Sequence, residues 1–83
     1  MVKRTTQPKV ILFTAPGCGW CSAVKQYLRQ KKIRYDEVDA SRDPRARREL
    51  ERRRIRGVPV LLIKGQTVVG FDKAKIDRLL GLK

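Results

Sequence analysis

Apolar positions along the chain change period several times, and each change marks an element. Residues 9–14 are a short apolar run (Val10, Ile11, Leu12, Phe13) that stops at Ala15-Pro16-Gly17. A run rich in β-formers and ended by breakers predicts a buried central strand. From residue 19 to about residue 31, Trp20, Ala23, Val24, Tyr27 and Leu28 recur at helical spacing. Lys25, Gln26, Arg29 and Gln30 take the other side, which makes an amphipathic helix. Residues 33–38 read as a second strand. Asp43-Pro44 is a helix start, with Asp as N-cap and Pro in the first turn. That helix runs to about residue 53 with Ala46 and Leu50 inward, and Arg45, Arg48, Arg52 and Arg56 on roughly the opposite side. Residues 59–63 predict a third strand, 64–66 a hairpin turn and 67–69 a fourth strand. Asp72 then caps a last helix that buries Ile76, Leu79 and Leu80. Tyr27, Leu28, Leu61 and Ile63 are core by spacing. The order β-α-β-α-β-β-α makes the first two strands parallel, joined by a right-handed crossover, and adds an antiparallel hairpin. The fold class is α/β, a four-stranded mixed sheet flanked by three helices.

A length of 83 residues fits one small domain over 1–83, with the basic, polar residues 1–8 as a flexible N-terminus. No segment approaches the roughly 20 apolar residues of a membrane span. The run at 10–13 is too short for a signal peptide, so the expectation is a soluble, cytoplasmic monomer with no membrane partner. Lys and Arg total 21 against 8 Asp and Glu, a net charge of +13 that predicts attraction to polyanions. The charge is densest over 42–56, with a second group at Lys25, Arg29, Lys31 and Lys32. Acidic residues are interleaved, which describes a folded basic surface and not a disordered arm. No nucleic-acid-binding motif is present, and three of the five aromatic residues fall at core positions. Contact with nucleic acid is therefore expected to be nonspecific and salt-sensitive.

The chain has no histidine and two cysteines, Cys18 and Cys21. Ser-His and Cys-His catalytic pairs and His-based metal sites are thereby excluded. Zinc held by four side chains of one chain would need two further carboxylate or water ligands, while a site shared between two chains stays open. As a staple the pair closes too small a loop to remove much chain entropy. Its place is informative: Cys18-Gly19-Trp20-Cys21 lies where the first strand hands over to the first helix. A cysteine there meets free backbone N–H groups and the positive end of the helix dipole, both of which favour the thiolate. Cys18 would attack a disulfide, and Cys21, one turn inward, would resolve the mixed disulfide. The alternatives are an inert pair of small buried residues or half of a metal site. The strand-to-helix context favours redox chemistry.

Residues 10–21, ending in Thr14-Ala15-Pro16-Gly17-Cys18-Gly19-Trp20-Cys21, resemble the active-site segment of glutaredoxins. Gly57-Val58-Pro59 is similar to that family's Thr-Val-Pro loop, and Val69-Gly70-Phe71-Asp72 to its Gly-Gly-x-Asp corner. The resemblance covers residues 9–82 in the family's order, and the nearest relatives would be minimal bacterial glutaredoxin-like proteins. It implies a thioredoxin fold and a thiol–disulfide oxidoreductase, with glutathione as co-substrate and no permanently bound cofactor. It also implies a cis bond before Pro59, backbone pairing of Val58 with an extended substrate, and a γ-glutamyl site at Gly70, Phe71 and Asp72. Trp20 would be an exposed platform for the substrate. Three positions depart from the glutathione-binding pattern: Ala15 where many members have lysine, Gly57 for threonine and Val69 for glycine. Arg54 and Arg56 are candidate replacements for the missing cation. Glutathione or thioredoxin reductase would supply electrons, and disulfide-bearing proteins would be substrates. The family also contains carriers of a [2Fe-2S] cluster held between two subunits, an alternative in which Cys18 would be a ligand.

Overall fold

The elements follow the order β1 (Val10–Thr14), α1 (Gly19–Gln30), β2 (Asp36–Asp39), α2 (Pro44–Arg52), β3 (Val60–Ile63), β4 (Gln66–Val69) and α3 (Lys73–Leu80). The structure is a computed structural model and describes residues 8–82. The expected flexible N-terminus falls on residues 1–7, outside the described residues, and on Pro8, which is half-buried just before β1.

The strands form one sheet in the order β2-β1-β3-β4. β1 and β2 are parallel, with Leu12 opposite Glu37 and Thr14 opposite Asp39. β3 runs antiparallel to β1, and β4 antiparallel to β3. The apolar run of β1 thus lies inside the sheet, covered on both faces. Successive strand side chains point to opposite faces, so β1 feeds two cores. Val10 and Leu12 join Leu61, Ile63 and Val68 on one face, closed by Val24, Tyr27 and Leu28 of α1 and Ile76 and Leu79 of α3. Phe13 and Val60 lie on the other face, closed by Ala46 and Leu50 of α2. Three helices around a four-stranded mixed sheet is the architecture that the apolar pattern implies.

Boundaries differ for local reasons. β2 begins at Asp36, not at residue 33, because α1 ends in a Schellman turn. The Ile33 N–H donates to the Leu28 carbonyl at 2.9 Å and the Lys32 N–H to the Arg29 carbonyl at 3.0 Å. That turn folds Ile33 back on the core beside Leu28, and pairing starts only where Asp36 meets Ile11. β3 begins at Val60 because Pro59 has no N–H to give the ladder. Ile63 pairs with Gln66, which leaves Lys64 and Gly65 as a two-residue turn with both φ positive (55° and 78°). Gln66 therefore belongs to β4. Leu80 is half-buried, whereas Ile76 and Leu79 are buried.

Candidate active site

Four residues carry the chain from the end of β1 into α1. Gly17 takes φ of 78°, a region that L side chains rarely enter, and this turns the chain so that Cys18 becomes the N-cap of α1. The Cys18 backbone is extended (φ −87°, ψ 105°), and its Sγ accepts the Cys21 N–H at 3.2 Å. N-cap side chains satisfy N–H groups that the helix leaves unpaired. Here the capping atom is sulfur, so the helix end that favours a thiolate acts directly on it. The first turn of α1 has no acidic residue to oppose this. Cys18 is half-buried and Cys21 is buried. The two are disulfide-bonded with Cα atoms 5.3 Å apart.

Trp20 stands out between the cysteines at 65% exposure. Its ring meets Phe71 with centroids 6.3 Å apart, and Phe71 in turn meets Tyr27 edge-on at 5.6 Å. The corner after β4 is thus stacked against the helix that carries the cysteines. The bond between Val58 and Pro59 is cis, and Pro59 is buried. The Gly70 N–H donates to the Pro59 carbonyl at 2.9 Å, which ties that corner to the proline loop. Gly70 has φ of 80°. Asp72 caps α3, its carboxylate accepting the Lys75 N–H at 3.2 Å.

Two clefts meet at Ala15. One, of about 550 Å³, is bordered by Ala15, Arg47, Arg56, Gly57 and Val58 over an apolar floor that includes Leu50 and Ile55. The structure brings Arg56 to it, while Arg54 lies at the end of α2 with φ of 62° and does not line it. The second, of about 650 Å³, contains both cysteines together with Thr14, Lys25, Glu37 and Asp39. Reading the sequence alone missed these polar residues. Lys25 follows Cys21 by four, a spacing that puts both on one face of α1; Glu37 needed the β1–β2 register to be placed. Among the described residues no group of three or more Cys, Asp or Glu side chains is arranged to hold a metal ion, and no helix is long and apolar enough to cross a membrane.

A CxxC pair that opens a helix after a central strand, in a chain whose Val58-Pro59 bond is cis, fits a thiol–disulfide oxidoreductase of the thioredoxin fold. The Glutaredoxin family model matches residues 10–68. The chain belongs to the glutaredoxin family. It is 39% identical over 70 residues to an uncharacterized glutaredoxin-like 8.6 kDa protein of the rubredoxin operon of Clostridium pasteurianum, covering 83% of this chain and 93% of that one. The crystal structure of the thioredoxin-like protein BC3987 superposes with a TM-score of 0.78 at 34% identity, covering 87% of this chain and 100% of the other. The solution structure of glutaredoxin from Brucella melitensis superposes with a TM-score of 0.70 at 32% identity and 94% coverage of each chain.

Proposed function

We propose that the chain is a dithiol reductant of protein and glutathione mixed disulfides, with Cys18 as nucleophile and Cys21 as resolving thiol. The observation that carries this is the Cys18 Sγ at the N-cap of α1, accepting the Cys21 N–H, with Cys21 buried one turn inward. The accessible, helix-stabilised sulfur is the better first nucleophile. In the forward direction the Cys18 thiolate attacks R–S–S–R′, forms Cys18–S–S–R and releases R′–S⁻, which is protonated. Cys21 then loses its proton and attacks Cys18 Sγ, giving the Cys18–Cys21 disulfide and R–S⁻. Two electrons pass from the dithiol to the substrate. Two thiols of a reductant restore the dithiol.

Substrate would lie along the Val58-Pro59 loop, its backbone paired with Val58 and its anionic end near Arg56. The Trp20 and Phe71 rings, 6.3 Å apart, would give the substrate an aromatic wall. The Gly70 N–H is already given to Pro59, so recognition of a γ-glutamyl group at this corner falls to Phe71 and Asp72. Glutathione is the co-substrate in this proposal, and the cytoplasm is its setting. The cluster-carrier alternative needs Cys18 free as a ligand; a second cysteine placed to bond it favours redox turnover.

Reductant choice tests the proposal. Oxidised protein is offered glutathione with its reductase, or thioredoxin reductase, each with NADPH, and NADPH loss is followed against Cys18→Ser. Turnover with glutathione that Cys18→Ser abolishes is the expected result. Turnover with thioredoxin reductase alone would keep the dithiol chemistry and remove glutathione from it. Turnover with neither would overturn the proposal.

A further inference from the structure

The resolving step needs a place for a proton. Cys21 is 3% exposed, so its sulfur has little direct contact with bulk water. The second cleft at the active site reaches it from the side of β2. Every charged group there comes from two elements: Lys25 from α1, and Glu37 and Asp39 from β2. Thr14, at the end of β1, is buried and brings a hydroxyl to the same cleft.

These groups are not equivalent. Asp39 is committed to its own turn, since Oδ1 accepts the Ser41 N–H at 2.9 Å and the Ser41 hydroxyl at 2.6 Å. Glu37 is held over the cleft from both sides. The Thr14 hydroxyl donates to its Oε2 at 3.2 Å, with the Val38 carbonyl as the more distant alternative acceptor at 3.5 Å, and Lys25 Nζ lies 3.2 Å from the same carboxylate oxygen. Oε1 has no partner among the described residues. Lys25 and Cys21 are one helical turn apart on α1, and the ion pair and the thiol border the same cleft.

We propose that Glu37, positioned by Thr14 and Lys25, accepts the Cys21 proton through cleft water during resolution. As Cys21 Sγ attacks Cys18 Sγ, the S–H proton passes through water to the Glu37 carboxylate. The Cys18–S–R bond breaks, the Cys18–Cys21 bond forms, and R–S⁻ departs and is protonated from solvent. Glu37 then returns its proton to solvent. In re-reduction the path reverses, and the leaving Cys21 thiolate takes a proton from the same cleft. Glu37 is a positioning and proton-relay residue and does not touch the substrate. The inference rests on the dithiol reading above.

The test separates the two steps. Reduced protein is mixed with excess glutathione disulfide under stopped flow, and Trp20 fluorescence is followed. Mixed-disulfide formation at Cys18 gives a phase that scales with disulfide concentration. Resolution by Cys21 gives a concentration-independent phase, absent in Cys21→Ser. Glu37→Gln keeps the size and hydrogen-bonding capacity but cannot take a proton. It is expected to leave the first phase within about twofold. The second should slow by about tenfold or more, the low end of what a positioned base contributes, and climb more steeply with pH. In the Cys21→Ser background Glu37→Gln should change nothing. Asp36→Asn, on the same strand but facing Lys9 and outside this cleft, serves as the control for β2 and should match the wild type. The sign of the effect is decisive. Removing the Glu37 charge frees Lys25, and as a purely electrostatic change this would stabilise the Cys21 thiolate and speed its attack. A second phase that is unchanged or faster in Glu37→Gln overturns the inference. A wild type that shows neither phase would instead overturn the dithiol reading.

Discussion

Tyr27 shows how one residue couples the core to the active-site corner. Its hydroxyl donates to the Asp77 carboxylate on α3, its ring edge meets Phe71, and Lys31 and Lys73 lie over the ring at 5.7 and 5.3 Å. The bond to Asp77 and burial push the phenol up from its ordinary value of 10 to about 12. A raised folded pKa means that the unfolded chain ionises first. The contribution is complete below pH 10 and is lost as pH rises through about 12. Wild type should therefore lose stability between pH 10 and 12 more steeply than Tyr27→Phe, measured by urea unfolding across that window. Parallel curves would show that the bond contributes nothing. Spacing was enough to put Tyr27 in the core. Its hydroxyl partner, fifty residues away on α3, depends on how two helices pack on one sheet face, and no local pattern carries that. Cys18 and Cys21 were legible for the opposite reason, since their chemistry follows from a local strand-to-helix junction.

At the scale of elements, all three helices stop in the same way although their sequences differ. A backbone N–H reaches back five residues in each: Ile33 to Leu28, Ile55 to Leu50 and Leu82 to Asp77, at 2.8–2.9 Å. The residue before each donor takes the left-handed conformation: Lys32 at φ 59°, Arg54 at 62° and Gly81 at 73°. Only Gly81 is suited to it, because a Cβ in this region crowds the backbone by about 1–2 kcal/mol. Lys32→Gly and Arg54→Gly should each stabilise the fold by about 0.5–1 kcal/mol once the greater entropy of unfolded glycine is subtracted. Gly81→Ala should cost about 1 kcal/mol by backbone strain alone, since a Cβ there meets no atom within 4 Å. Chemical denaturation of the three variants checks this, and a destabilised Lys32→Gly would refute the account of α1. The same turns explain why helix starts were easier to place from sequence than their sequels. Asp43 and Asp72 announce α2 and α3 as capping carboxylates. Lys32 and Arg54 carry no sign that the chain reverses, so Ile33 passed for the first residue of a strand.

For the whole molecule, the question is what +13 of net charge does for a redox protein. The ion pairs among the described residues are few and none is fully buried, and the most exposed, Lys9 with Asp36 at 3.8 Å, contributes little to stability. Arg52 and Arg53 share one acidic partner, Glu49, whose carboxyl they hold below the usual range. Most of the remaining cations among the described residues face solvent, and Arg47 and Arg56 rim the cleft that Val58 lines. A field of one sign around a site raises the encounter rate of an oppositely charged substrate and leaves the chemistry after encounter unchanged. Salt should therefore act on kcat/KM and not on kcat. Raising ionic strength from about 0.01 to 0.1 M shortens the screening length from about 30 to 10 Å, less than the width of this domain. Over that range kcat/KM for anionic glutathione disulfide should fall on the order of tenfold, while an uncharged disulfide such as bis(2-hydroxyethyl) disulfide should show a flat response. Arg47→Glu with Arg56→Glu should shrink the salt effect if the field is concentrated at that rim. A flat response for both substrates would mean that the charge serves no encounter at this site. An equal fall for both would point to salt acting on the protein itself, because a steering field has no purchase on a neutral molecule.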